Sequence, residues 1–263
     1  MAADLRIFSY IPNPRLAKAR IAANFSGATI EVKGDKPRAL VDWLWDFDAR
    51  KLAEEDKESL QSCARTGSVG FAGVTLYKSE AFLKAHPFGS VPAGFSGDGE
   101  VGIFESNSIM RAAARLGTKA HGLLGEGPLG ESRVDSFLDR TLVYSRDMQR
   151  YLLAGNKLTT DQYADMRQSL VAFATGLNTA LERSRYIAAD VLTLADIAAT
   201  CELAQLTNER GLQDRLEELG VSPLCSELAT FERLGRHLRT LAEEPRISNE
   251  IGEYLERLLK TWS

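Results

Sequence analysis

The stretch HPFGSVPAGFSGDGEVGIFESNSIM, His86 to Met110, decides how this chain is read. Pro92 stands at the start of a short apolar run, and the Asp-Gly signal in GDG separates that run from a second one, VGIF. VPAGF and VGIF are therefore expected to form a hairpin. Glu105-Ser106 then opens a helical pattern that starts at Ser106 or Asn107 and ends near Gly117. Gly97, Gly99 and Gly102 satisfy a GxGxxG spacing, but they lead from strand to strand, whereas a dinucleotide loop leads from strand into helix.

Working towards the N-terminus, SEAFLKAHP reads as a short helix. LRIFSY, Leu5 to Tyr10, alternates like a strand; Leu16, Ala19, Ile21, Ala22 and Phe25 mark a helix ending near Gly27; ATIEV reads as the next strand. The loop Pro12-Asn13-Pro14-Arg15 thus sits at a helix N-terminus, where free N–H groups favour an anion. Lys33 to Thr75 is an irregular insertion, in which Asp48 to Arg65 is expected to be a helix with Leu52, Leu60 and Cys63 inward. GSVGFAGV, which lacks the Gly-Lys-Ser/Thr ending of a phosphate loop, is expected to be a mobile loop or a strand. Burial in this added piece is preferred for Trp43 and Trp45 over covering a cleft. The order βαβ, insertion, αββα is that of a thioredoxin-like domain, assigned to residues 1–118.

Residues 119–130, rich in glycine, are expected to link this domain to an all-helical one at 131–263. Val134 to Leu152 carries one long apolar stripe, and Tyr163 to Leu181 another behind a Thr159/Gln162 capping box. In TLADIAATCELAQL the expectation is a second box, Thr193 accepting the Asp196 N–H while Asp196 reaches back, with loss of the Asp196 side chain costing about 0.5–2 kcal/mol. Two amphipathic helices, FERLGRHLRTLAEEP and NEIGEYLERLLKTW, finish the chain.

The 263 residues are 44% hydrophobic and 26% charged, within the globular range, and the net charge of −4 gives no reason to expect nucleic acid or anionic lipid. No secretory signal or membrane-length apolar run is readable, and Cys63, Cys201 and Cys225 fit reduced thiols acting as small hydrophobes, so a cytoplasmic protein is expected. No His, Cys, Asp or Glu cluster has metal spacing.

The binding reading begins at Ser90-Val91-Pro92. A cis bond into Pro92 would leave the residue before it facing an open groove, offering a peptide-like ligand a backbone partner. Ser106 at a helix start suits a carboxylate, and Glu105 suits an ammonium ion. A zwitterion beside a backbone-pairing site describes the γ-glutamyl-cysteinyl part of glutathione. The competing reading of Glu105 and Ser106 is a plain helix cap.

HPFGSVPAGF with FESNSIM resembles the glutathione-binding motif of the glutathione transferases, and LTLADIAAT resembles that family's capping box. YIPNPRLAKARIAANFSGA and KSEAFLKAHPFGSVPAGF are closer still to the transferase-like region of the elongation factor 1 gamma subunits. The resemblance implies a glutathione transferase fold, glutathione as co-substrate, an apolar electrophile as partner, a homodimer, and a thiol-activating donor after the first strand. The candidates for that donor are Asn13, through its amide, Arg15, through its charge, and Tyr10; Asn13 as a helix cap and Tyr10 as a packed residue stay open beside these. Lys84 and His86 are candidates for the glycine carboxylate or for solvated residues, and Arg140, Tyr144 and Arg146 for an acceptor cleft between domains. The rivals to a transferase are a non-catalytic interaction scaffold and a glutathione-dependent lyase, isomerase or dehalogenase. The chain ends at Ser263 without the factor's further domain, from which a free-standing protein is expected.

Overall fold

A computed structural model describes residues 3–119 and 121–262, which divide into two compact units at residues 119 and 120.

In the first unit, β1 (Leu5–Tyr10), α1 (Pro14–Ser26) and β2 (Ile30–Asp35) form the βαβ start. Asn13 caps α1, Pro14 fills its first turn, and Gly27 ends it in the left-handed region at φ 79°, which glycine enters without a Cβ clash. The chain returns as β7 (Ala93–Ser96), β8 (Gly102–Ile103) and α4 (Ser106–Leu116). The sheet order is β2-β1-β7-β8, with β1 parallel to β2 (Leu5 opposite Ile30) and antiparallel to β7 (Ile7 opposite Gly94). The three glycines of the GxGxxG spacing lie in the β7–β8 hairpin, where Gly99 takes φ 83° in the turn.

The insertion builds a second sheet of its own. β3 (Trp43–Trp45), β4 (Arg50–Lys51), β5 (Ala64–Thr66) and β6 (Thr75–Lys78) pair in the order β4-β3-β6-β5. The helix expected over Asp48 to Arg65 shrinks to α2 (Glu54–Ser59). Its residues, EEDKES, offer nothing apolar to bury, and Leu52, Leu60 and Cys63 are only half-buried. GSVGFAGV forms turns, with Gly70 at φ 78° and Gly73 at φ 81°, and the strand begins only after it. Leu40, Trp43, Trp45 and Leu76 share one core with Phe8, Phe82 and Phe95, and Trp45 packs edge-on to Phe8 and Phe82 at 5.5 and 6.2 Å. Its Nε1–H donates to Leu40 O at 3.0 Å. α3 (Glu80–Ala85) follows β6, capped by the Ser79 hydroxyl.

The second unit is helical. α5 (Gly127–Ala154) starts inside the stretch read as a linker, with Pro128 in its first turn; α6 (Thr160–Ala180) has the expected Thr159/Gln162 box. α7 (Leu194–Leu206), α8 (Gln213–Leu219), α9 (Glu232–Ala242) and α10 (Pro245–Lys260) complete it, and Pro245, which ends the stretch FERLGRHLRTLAEEP, is the first residue of the last helix. At the start of α7 the expected Thr193/Asp196 box is present, with Asp196 reaching back and making further bonds. Asp196 does the capping: Oδ2 accepts the Thr193 N–H (2.8 Å) and the Thr193 hydroxyl (2.9 Å), and Oδ1 accepts the Ile187 N–H (2.8 Å). His237 Nε2 lies 3.1 Å from Oδ1, and Asp196 is wholly buried.

Two stability changes follow. Trp45→Ala is expected to cost about 3–5 kcal/mol, read as a lowered urea midpoint. Asp196→Ala strands the buried Thr193 and Ile187 N–H groups, so its cost should rise from the range of an exposed cap to about 2–5 kcal/mol, at roughly 1–3 kcal/mol per stranded group, measured in the same way.

Candidate functional site

The site lies in the first unit, where the residues before β7 meet the start of α4. The Val91–Pro92 bond is cis, as is Ile11–Pro12. β1 pairs with β7 only from Ala93 onward, so Val91 precedes the ladder, and among the described residues neither its N–H nor its C=O has a backbone partner. Val91 is half-buried against the aromatic core, while Ser90 is exposed.

Glu105 is exposed, and among the described residues it is the one non-glycine residue with positive φ, at 65°. Holding an L-residue there costs on the order of 1–3 kcal/mol and is characteristic of functional positions. Ser106 and Asn107, the first residues of α4, are buried. Both accept from one ammonium: Lys18 Nζ lies 3.1 Å from Ser106 Oγ and 2.9 Å from Asn107 Oδ1. Lys18 is 1% exposed, so a buried cation is added to the positive end of the α4 dipole. Because Ser106 Oγ accepts from Lys18, its own proton is available to a ligand.

After β1 the arrangement is more constrained than the sequence suggested. Asn13 is 5% exposed; its Oδ1 accepts the Arg15 N–H at 2.9 Å and its Nδ2–H donates to the wholly buried Ser9 hydroxyl at 3.0 Å. The side chain therefore acts as the α1 cap. Arg15 is half-buried in the first turn of α1, and Tyr10 is half-buried at the end of β1, packed against the aromatic core.

His86 does not face water. It is wholly buried, stacked on Phe104 at 5.2 Å and tilted on Phe82 at 5.6 Å, with Nε2 3.4 Å from Ser90 Oγ. Burial holds its pKa below the usual histidine value, so the ring is neutral at pH 7 and brings no charge to a carboxylate. Lys84 is exposed in the last turn of α3. The cation beside the groove loop is Lys78, whose Nζ donates to Gly89 O at 2.7 Å and lies 4.7 Å from the centre of the Trp45 ring. Burial, and then the charge of Arg65, lower its pKa from the usual lysine value.

Two residues of this site were missed from sequence, although each leaves a signal. Lys18 stands three, four and seven residues before Ile21, Ala22 and Phe25, on the apolar stripe of α1, and Lys78 alternates with Leu76 on one face of β6. In the second unit, Tyr144 is buried and stacked on Phe173 at 4.4 Å, whereas Arg140 and Arg146 are exposed. Trp43 and Trp45 are core residues. Cys201 and Cys225 are buried, and no three His, Cys, Asp or Glu among the described residues are grouped to hold a metal.

No protein-family profile matches the chain. It is 27% identical over 183 residues to elongation factor 1-gamma 3 of Oryza sativa subsp. japonica, covering 67% of this chain and 40% of that one. It is 28% identical over 131 residues to glutathione S-transferase F9 of Arabidopsis thaliana, covering 46% and 60%. The chain thus spans about two fifths of the length of the elongation-factor relatives it matches. Among solved structures, a delta-class glutathione transferase of Nilaparvata lugens superposes with a TM-score of 0.61 at 16% identity, over 98% of both chains. A glutathione S-transferase-I bound with lactoylglutathione gives 0.61 at 18% identity, over 96% of this chain and 100% of the other. The chain has the glutathione transferase fold. In sequence it is similar to the glutathione transferases and to elongation factor 1-gamma.

Lys18→Met is expected to strip Ser106 Oγ and Asn107 Oδ1 of their donor and to lower stability by about 1–3 kcal/mol. Combined with Ser106→Ala in a double-mutant cycle by urea unfolding, the two losses should fall short of additive, because they share one interaction.

Proposed function

We propose that the protein binds glutathione along the edge before β7 and activates its thiol for attack on an apolar electrophile. The observation that carries this reading is the free backbone pair of Val91 beside the strained Glu105 and the Lys18-supported Ser106. The cysteinyl backbone would pair with the Val91 N–H and C=O, the γ-glutamyl carboxylate would take the Ser106 hydroxyl and the α4 N–H groups, and the exposed Glu105 would meet the ammonium. Lys78 replaces His86 as the charge for the glycine carboxylate, since His86 is neutral. With Asn13 Oδ1 capping α1 and one of its amide N–H groups on Ser9, Arg15 is the group assigned here to lowering the thiol pKa, each unit of which is worth about 1.4 kcal/mol. A homodimer and a cytoplasmic location belong to the same proposal; no helix among the described residues is long and apolar enough to cross a membrane.

A non-catalytic scaffold is the second reading, favoured by the engaged Asn13 amide and the similarity to elongation factor 1-gamma. Calorimetry and ultraviolet titration of the bound thiol separate the two. The transferase reading expects saturable glutathione binding, about ten- to a hundredfold weaker in Ser106→Ala, and a thiol pKa lowered in the complex but not in Arg15→Ala. Binding with an unshifted thiol supports the scaffold, and no binding removes both glutathione roles.

A further inference from the structure

The loop after α6 and one side of α9 border an open surface cavity of about 260 Å³ within the helical unit. It is lined by Ser184, Arg185, Tyr186, Arg233, Arg236 and His237. Three arginines on one small concavity run against the chain's net charge of −4. Glu182 lies 3.2 Å from Arg233 and balances it in part, whereas the guanidinium groups of Arg185 and Arg236 have no ion pair among the described residues. The site is wholly outside the glutathione reading.

The lining is held in place before any ligand arrives. The Ser184 hydroxyl donates to Tyr186 O (2.7 Å), the Tyr186 N–H to Ala189 O (3.0 Å) and the Arg185 N–H to Asp190 Oδ1 (3.1 Å), so the loop is a bonded turn. The Arg185 guanidinium lies 5.5 Å from the centre of the Tyr186 ring. Asn178 Oδ1 accepts the N–H groups of Arg233 and Leu234 (3.0 and 3.2 Å), fixing the start of α9, and Arg233 and Arg236 follow one turn apart on one face. His237 is almost wholly buried, edge-on to Tyr186 at 5.7 Å; its Nε2 is near Asp196 Oδ1 but not aligned for a hydrogen bond. A backbone fixed in this way leaves only the arginine side chains to be ordered on binding.

We infer that this cavity binds a phosphate group. Guanidinium forks match phosphate oxygens in pairs, and two unbalanced arginines suit a compact dianion. The volume falls below the roughly 300–1,000 Å³ of cofactor-sized sites, so the ligand is free phosphate or a small phosphomonoester. With Glu182 on Arg233, Arg185 and Arg236 carry the affinity.

The test follows the His237 ring and arginine side-chain resonances of the full chain by NMR. Inorganic phosphate and glycerol 3-phosphate are titrated separately, with chloride at matched ionic strength as the control. A saturable shift at His237, weakened about tenfold (some 1.4 kcal/mol) by Arg185→Ala or Arg236→Ala and unchanged by Arg150→Ala, supports the site. Tighter binding of the ester assigns a phosphomonoester; equal binding assigns the free ion. The absence of a saturable shift at millimolar phosphate, or undiminished binding in a double variant with an unchanged melting curve, overturns it.

Discussion

The first unit depends on burying one ammonium ion. Lys18 reaches from α1 to the first two residues of α4, 88 and 89 positions later, and gives up solvation that only a full set of polar partners offsets. Two of its partners, Ser106 and Asn107, also open the helix whose N-terminus faces the proposed ligand. The same helix pair is fixed near its other end, where the buried Ser26 hydroxyl donates to Ala113 O at 2.8 Å. Packing and candidate binding chemistry are therefore one arrangement, and the strained Glu105 is held between a closed hairpin and a helix start that cannot slide.

The insertion adds area to the same core. Its tryptophans point inward, towards Phe8, Phe82 and Phe95 of the thioredoxin-like half, so the second sheet buttresses the strand that leads out of Pro92. Lys78 enters the site from this added sheet, and its ammonium is tied to the groove loop at Gly89. The second sheet thus brings a charge to the groove loop.

In the helical unit, Asp196 bonds the start of α7 to the loop at Ile187. A residue that caps an isolated helix here holds two segments together. His237 of α9, which lies close to the same carboxylate, forms part of the lining of the arginine-lined cavity.

Periodicity along the chain was enough to read the thioredoxin-like order, the hairpin, α4 and the capped helices, because each is specified by residues within a few positions of one another. Glu105, Ser106, Val91 and Pro92 were legible for the same reason, as parts of local turn and cap motifs. Local pattern failed where side chains from distant segments decide the outcome. The stretch from Asp48 to Arg65 reads as one helix, but only Glu54–Ser59 stays helical, its flanks being paired as strands of the second sheet. Asn13 reads equally as cap or donor, and only the fold shows that its Oδ1 caps α1 while one of its two amide N–H groups goes to Ser9; His86 reads as a carboxylate partner or a solvated residue, and only the fold encloses it between Phe82 and Phe104. Lys18 and Lys78 were visible as charges on apolar faces, but only tertiary packing could say what a buried ammonium is bonded to. Sequence determined the elements and their ends through short-range hydrogen bonding and periodic burial; the charge states and engagements of the site were decided by the long-range contacts that desolvate them.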